Sequence, residues 1–340
     1  MTLTLDTYIT LRDPPPLDVP HVHHARWGRN DPALAAHLQT RIAEVMQVAR
    51  EQMTAQRYHT FRHLQRTRWH HRVEIAHDAL PAFQQWAERA NAIYADADGN
   101  VHAPNGRCLV GGAGADPEAE VPYPADAQHR RARTLEALAA RSLRVPASLP
   151  PVVGEGEAVL RNPGAMAGRM LALMAVAIRG ETLNEGDPLP LADIRARLAA
   201  GWRALSPKEA AFLHDESPTR QQTIDAVWRY EALAALQWAM GLSDALPFPD
   251  RICDVPQCAQ RALAWADGTL PTLPTPRPAA EILDALDLHL RLHWLVRQAQ
   301  LDNQAPAGGL IGGVVTERHH ALNWLVQFED ADWDDVDTPT

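Results

Sequence analysis

The first residues alternate. Leu3, Leu5, Thr7, Ile9 and Leu11 fall on one side of an extended chain and Thr4, Asp6, Tyr8 and Thr10 on the other, which predicts a strand over 2–11 that Pro14–Pro16 end. Asp31 followed by Pro32 is a helix start, and Leu34, Leu38, Ile42, Val45, Met46 and Ala49 recur behind it at helical spacing. Alternation returns over 66–76. Thr67, Trp69, His71, Val73 and Ile75 face one way, and Arg66, Arg68, His70, Arg72 and Glu74 the other, as in a half-buried strand. Asp78 stands where it can cap a helix running through Trp86 and Arg89. Ala92–Tyr94 and Val101–His102 flank the turn pair Asp98-Gly99, and Asn105-Gly106 makes a second turn before Cys108–Val110.

These elements predict an α+β protein: a small mixed α/β N-terminal unit over 1–143, a Pro- and Gly-bearing linker over 144–157, and a mainly α-helical C-terminal domain over 158–340. A helix over 128–142 is expected to close over the first unit. Beyond the linker the apolar period is helical in 164–180, 190–201, 206–214, 218–242, 255–266, 278–303 and 314–328. Ser206, Pro207 and Glu209 form a capping-box start, and 268–278 reads as a Pro-rich connector.

Several positions break the helical patterns. In 218–242, Glu231 falls in the middle of the stripe Ile224, Trp228, Ala235, Trp238 and Leu242, where a carboxylate needs a partner such as Arg229 or Arg318. In 278–303, Asp284, Asp287, Arg291 and Gln298 read as a narrow solvent face. His289, His293 and Arg297 sit instead beside Ile282 and Leu286. His289 and His293 are four apart, a spacing that suits two imidazoles on one metal, although Leu290 stands where the glutamate of a metalloprotease helix would be. In 314–328, Thr316 is the expected cap and Glu317 a first-turn acid. Arg318 and His319 are within reach of Glu231 or of Asp334-Asp335. In the first unit, His59, His63, His70, His71 and His77 lie among Arg57, Arg62, Arg66, Arg68 and Arg72. This local positive face would bind an acidic partner or, as the favoured reading, be solvated or paired internally with Asp116, Glu118 and Glu120.

Composition narrows the function classes. The 340 residues carry a net charge of −10, which argues against nucleic-acid binding, since phosphate neutralisation needs a positive surface. The longest apolar run, Met170–Ile178, is about half the ~20 residues a membrane helix needs, and the N-terminus has no basic start or apolar core of a signal peptide. A cytoplasmic protein is expected. Cys108, Cys253 and Cys258 have neither disulfide-framework nor zinc-thiolate spacing. Asp96–Asn100 resembles the start of a calcium loop but lacks its glycine and closing glutamate, and Gly111–Gly114 lacks the lysine of a phosphate loop.

The segments Leu205–Leu213 (LSPKEAAFL), Trp228–Leu233 (WRYEAL), Gln237–Leu242 (QWAMGL), Leu286–Trp294 (LDLHLRLHW), Glu317–Leu325 (ERHHALNWL) and Trp333–Val336 (WDDV) resemble domain-of-unknown-function family 4272 over roughly residues 160–338. The resemblance implies a helical domain and a bacterial source, and no activity.

Two functions remain. The ten tryptophans, the acidic charge and the lack of a complete catalytic motif point to a non-enzymatic protein- or ligand-binding module with no obligatory cofactor. Trp228, Glu231, Trp238, His293, Trp294, Arg318, His319 and Asn323 would line its pocket. The alternative is a metal-dependent hydrolase, with His289, His293 and His319 on a divalent ion and Glu231 as general base. A purely structural polar core is the third reading of the same residues.

Overall fold

A computed structural model describes residues 1–47, 53–270 and 275–340, so Ala49 and part of the 268–278 connector lie outside the described residues. The chain divides into two compact units. One is Met1–His129 with Val153–Ala158; the other is Arg130–Val152 with Val159–Thr340.

The first unit is built on a six-stranded sheet ordered β2-β3-β1-β4-β5-β6, antiparallel throughout. Its strands are β1 (Thr2–Ile9), β2 (His21–Gly28), β3 (Trp69–Ala76), β4 (Ala92–Ala95), β5 (Val101–His102) and β6 (Cys108–Val110). Helices α1 (Pro32–Gln47) and α2 (Ala55–Arg66) contribute to one apolar cluster, where Leu34, Leu38 and Leu64 meet Tyr8 and Ile93. Helix α3 (Leu80–Arg89) contributes Phe83 and Trp86 to the opposite cluster, with Leu5, Val73 and Ile75. Both faces of the sheet are therefore covered, and β1, with five of eight residues buried, is central. Strand β2 and helix α2 were not legible in the pattern. HVHHARWG lacks clean alternation, and α2 is strongly polar, started by Thr54 accepting from the amide of Arg57. Asp78 does not cap α3: it lies in a 3-10 turn, and Ala79 takes the cap position without a side-chain bond.

The second unit is helical: α4 (Ala125–Ala140, from Arg130 onward), α5 (Pro163–Glu185), α6 (Leu191–Arg197), α7 (Ala199–Trp202), α8 (Pro207–His214), α9 (Arg220–Ala239), α10 (Val255–Ala266), α11 (Ala279–Leu301) and α12 (Gly312–Leu325). The Ser206–Glu209 capping box is formed, and Thr219 and Gln222 form a second one at α9. The helix expected over 190–201 is broken at Leu198 into α6 and α7. Helix α12 starts earlier than its expected cap, with Ile311 at the cap position, so Thr316 lies inside it and Glu317 is no first-turn acid. Glu317 instead receives two bonds from Arg229 Nη1, at 2.9 and 2.8 Å.

Helices α5 and α9 approach closely because Gly180 has no side chain. A Cβ there would lie 2.6 Å from Ala226 Cβ and 2.9 Å from the Thr223 carbonyl oxygen. Gly180→Ala is therefore expected to destabilise this unit by about 1–3 kcal/mol, since backbone on the facing helix must move. Chemical denaturation checks it, and an unchanged midpoint contradicts the close approach.

Residues 144–157 do not stand apart as a linker. Residues 144–152 belong to the helical unit, where Leu143 packs with Leu292 and Val296, and 153–157 belong to the sheet unit. There the Arg12 amide donates to the Gly156 carbonyl at 2.9 Å, and buried Glu157 accepts from the Gly154 amide at 2.7 Å.

Candidate functional site

In the helical unit, the odd residues of the apolar faces form pairs. Glu231 on α9 is 2% exposed and Arg318 on α12 is 0% exposed. Arg318 Nε donates to Glu231 Oε2 at 2.9 Å, and Nη2 lies at ion-pair distance, 2.8 Å, without the alignment of a hydrogen bond. Glu231 Oε1 accepts the Cys253 amide at 2.6 Å, and Arg318 Nη1 donates to the Pro247 carbonyl at 2.6 Å. Both carboxylate oxygens are thus engaged. Arg229, the other partner considered for Glu231, goes to Glu317, whose own pKa burial raises.

His293 on α11 and His319 on α12 meet Nδ1 to Nδ1 at 2.9 Å, so one ring donates and the other accepts. Burial holds His293 down at about 4 and His319 well below its ordinary value, leaving both neutral. His289 is buried too, with Nδ1 donating to the Ala285 carbonyl at 2.7 Å and Nε2 without a hydrogen-bond partner. The remaining candidates make separate contacts. Trp228 packs over Gly313, Trp238 lies under Arg277 at 5.0 Å, and Asn323 Nδ2 donates to the Asp337 carbonyl at 2.8 Å. Trp294 is half-buried on α11.

The expected solvent face of α11 is corrected. Asp287 and Arg291 are both 0% exposed and form a bidentate pair at 2.9 and 2.6 Å, while Arg297 is exposed. Arg291 also donates to the Pro150 carbonyl, and Asp284 accepts from Arg130 and Arg133. The segment 130–152 packs on this face of α11 and buries Asp287 and Arg291, while Asp284 stays exposed as expected.

A different region of the same unit is open. Between α6, α7 and α8 lies a groove of about 760 Å³ with Leu191, Ala199 and Trp202 along it and Arg195, Arg203 and His214 around it. Arg195 sits 5.5 Å over the Trp202 ring, and His214 meets that ring edge-on at 5.7 Å. Neither arginine has a carboxylate partner among the described residues.

In the sheet unit the polar face of β3 is paired internally, with His70 buried and the Arg72 side chain still 44% exposed. Register places Asp6 opposite Arg72 and Tyr8 opposite His70, with Trp27 of β2 also opposite His70. His70 is 0% exposed, and its Nε2 donates to Asp6 Oδ1 at 2.8 Å. Arg72 binds both Asp6 oxygens at 2.8 Å each, and these bonds, with His70, hold the Asp6 carboxyl well below its usual range against the desolvation that would raise it. Asp116 and Glu118, the acids expected to pair with this face, pair with Arg107 instead. From α1, His37 lies 4.3 Å from the His70 ring, centre to centre, and accepts from the Tyr8 hydroxyl at 3.1 Å. Tyr8 in turn accepts from Arg41 Nε at 3.0 Å. Trp27 is stacked on His70 at 4.8 Å. Asp6, His37 and His70 are the one group of three or more metal-type side chains, among the described residues, whose donor atoms all lie within 4.8 Å of one another. His289, His293 and His319 do not form such a group among them. The alternating pattern placed Asp6 and His70 on polar faces, but nothing in it paired those faces or brought His37 to them.

The model of the family described as a domain of unknown function (DUF4272) matches residues 130–336. The chain belongs to this family. The match begins at Arg130, where the helical unit begins, and spans the Glu231–Arg318 pair, the histidine pair and the α6–α8 groove. Asp6, His37 and His70 of the sheet unit lie before it. No curated protein and no solved structure matches the chain. Among the described residues no helix is long and apolar enough to cross a membrane.

Proposed function

We propose that the family domain is a binding module whose groove between α6, α7 and α8 takes an acidic, partly apolar segment of a partner protein. The observation that carries this is the groove itself. At about 760 Å³ it is within the range of ligand-binding clefts, its floor is apolar and aromatic, and its rim carries Arg195 and Arg203 without carboxylate partners among the described residues. A tryptophan and two arginines at one recess are the side-chain types that dominate binding hot spots. In a chain of net charge −10 such a recess is a local positive site, so it selects an acidic segment by complementarity while the remaining surface repels one.

The Glu231–Arg318 and His293–His319 pairs then act as an internal frame. They tie α9, α11 and α12 together, and the occupied oxygens of Glu231 support that role better than a general base in a metal-dependent hydrolase, which needs a free lone pair toward water.

Fluorescence anisotropy with a labelled peptide of alternating Glu and Leu, and with its Lys-for-Glu counterpart, tests the reading. The acidic peptide is expected to bind with salt-sensitive affinity and the basic one not. Arg195→Glu with Arg203→Glu is expected to weaken the acidic peptide by tenfold or more, about 1.4 kcal/mol. Equal binding of the two peptides, or no effect of the double change, overturns it.

A further inference from the structure

We infer that Asp6, His37 and His70 of the sheet unit form a binding site for a divalent first-row transition-metal ion. These three residues lie before the family match, and the inference is independent of the groove reading.

Three separate segments are needed to make the cluster. β1 supplies Asp6, β3 supplies His70 on the same face of the sheet, and α1 lays His37 over them. Each offers a donor of the right kind. One carboxylate and two imidazoles form a mixed N/O set that suits zinc and its first-row neighbours and is too nitrogen-rich for magnesium or calcium. The donor atoms fall within 4.8 Å of one another, so a side-chain adjustment of about an ångström brings them to the ~2.0–2.1 Å bonds such an ion makes.

The chemistry of the present contacts fits replacement by an ion. A proton on His70 Nε2 now bridges that nitrogen and Asp6 Oδ1 at 2.8 Å. The ion would take the place of this proton at Nε2, and the proton would pass to His70 Nδ1, which has no hydrogen-bond partner, so that the ring ligates as a neutral imidazole. His37 would exchange its bond from the Tyr8 hydroxyl for the ion, and Tyr8 keeps Arg41 as donor. Asp6 Oδ2 stays with Arg72 Nη2 at 2.8 Å, so the arginine serves as the outer partner that orients a ligating carboxylate. Trp27, stacked on His70, fixes that ring's plane. The Arg72 charge opposes a cation, which sets the expected affinity in the micromolar rather than the nanomolar range. Three protein donors leave a tetrahedral ion one position for water or an anionic ligand, the donor count of exchangeable rather than closed sites.

Calorimetric titration of the chelator-treated full chain with zinc chloride tests this. One ion per chain is expected. His37 is half-buried on α1, so His37→Ala is expected to keep the circular-dichroism spectrum and lose affinity tenfold or more, and Asp6→Asn to do the same. His293→Ala is the control and is expected to leave zinc binding unchanged. With cobalt chloride, visible d–d absorption is expected in the parent and in His293→Ala and to be lost in His37→Ala. No binding, binding untouched by His37→Ala, or loss confined to His293→Ala would each overturn the inference.

Discussion

Arg318→Leu is expected to be among the most destabilising single changes in the helical unit, by about 3–5 kcal/mol, because it strands a buried carboxylate. Glu231 is 2% exposed and would keep only the Cys253 amide as a donor. The Pro247 carbonyl would lose its Arg318 bond as well. For a unit of this size the loss corresponds to a fall in thermal midpoint on the order of 10 °C. The double change Glu231→Leu with Arg318→Leu removes both charges and is expected to recover part of it. Recovery stays incomplete because the Cys253 amide and the Pro247 carbonyl remain unmatched, each costing about 1–3 kcal/mol if they stay dry. Denaturant titration of the two single variants and the double variant measures the coupling. Simple additivity of the two single losses would show that the pair does not act as a unit.

The second large effect is acid lability. His63 in the sheet unit and His289 in the helical unit are both buried, and burial holds their pKa values down at about 3 and about 4, with Arg66 adding to the shift at His63. Each is neutral in the folded chain, whereas the unfolded chain takes up a proton below about 6.5. The unfolded state therefore binds more protons over the window from 6.5 down to the folded value, and stability falls as pH falls through it. Above 6.5 the contribution is fully present and flat. At pH 5 each of these two histidines removes roughly 2 kcal/mol. Asp6, whose pKa is depressed rather than raised, adds its own loss only lower, beneath the ordinary carboxylate range. Thermal melts from pH 7.5 to 5 are expected to show a steady drop in midpoint. His289→Leu removes one proton site whose Nε2 has no hydrogen-bond partner, so its profile is expected to be shallower. A midpoint that does not change over this range, or an identical slope in His289→Leu, would falsify the assignment.

The two units differ in how far their residues announced them. In the helical unit the apolar period and the caps were local signals. Ser206 with Glu209 is a capping box and is formed, whereas the cap read at Thr316 is not, because α12 begins at Gly312. A residue that breaks such a period is equally local, which is why Glu231 stood out and its need for a buried arginine followed from the cost of a lone charge. Which arginine it takes was not local. Arg229 is two residues from Glu231 in sequence and goes elsewhere, whereas Arg318 is 87 residues away and is brought in by the packing of α12 on α9.

What the amino-acid sequence determined by itself was the α+β class, the positions of most helices, the hairpin at Asp98-Gly99 and the existence of misplaced polar groups. These depend on periods of two or 3.6 residues and on turn chemistry, which act over a few neighbours. Only the tertiary structure decided which polar faces were buried. On α11, Asp287 and Arg291 have the spacing of a solvent-side pair, and it is the cover supplied by residues 130–152 that buries them. On β3, His70 and Arg72 lie on the polar side of a clean alternation, and it is α1 that covers His70 and lays His37 over it. A polar face carries the same local pattern whether water or a second polar element meets it. The distinction is made by strand register and helix packing between segments more than 30 residues apart, and no local period encodes that.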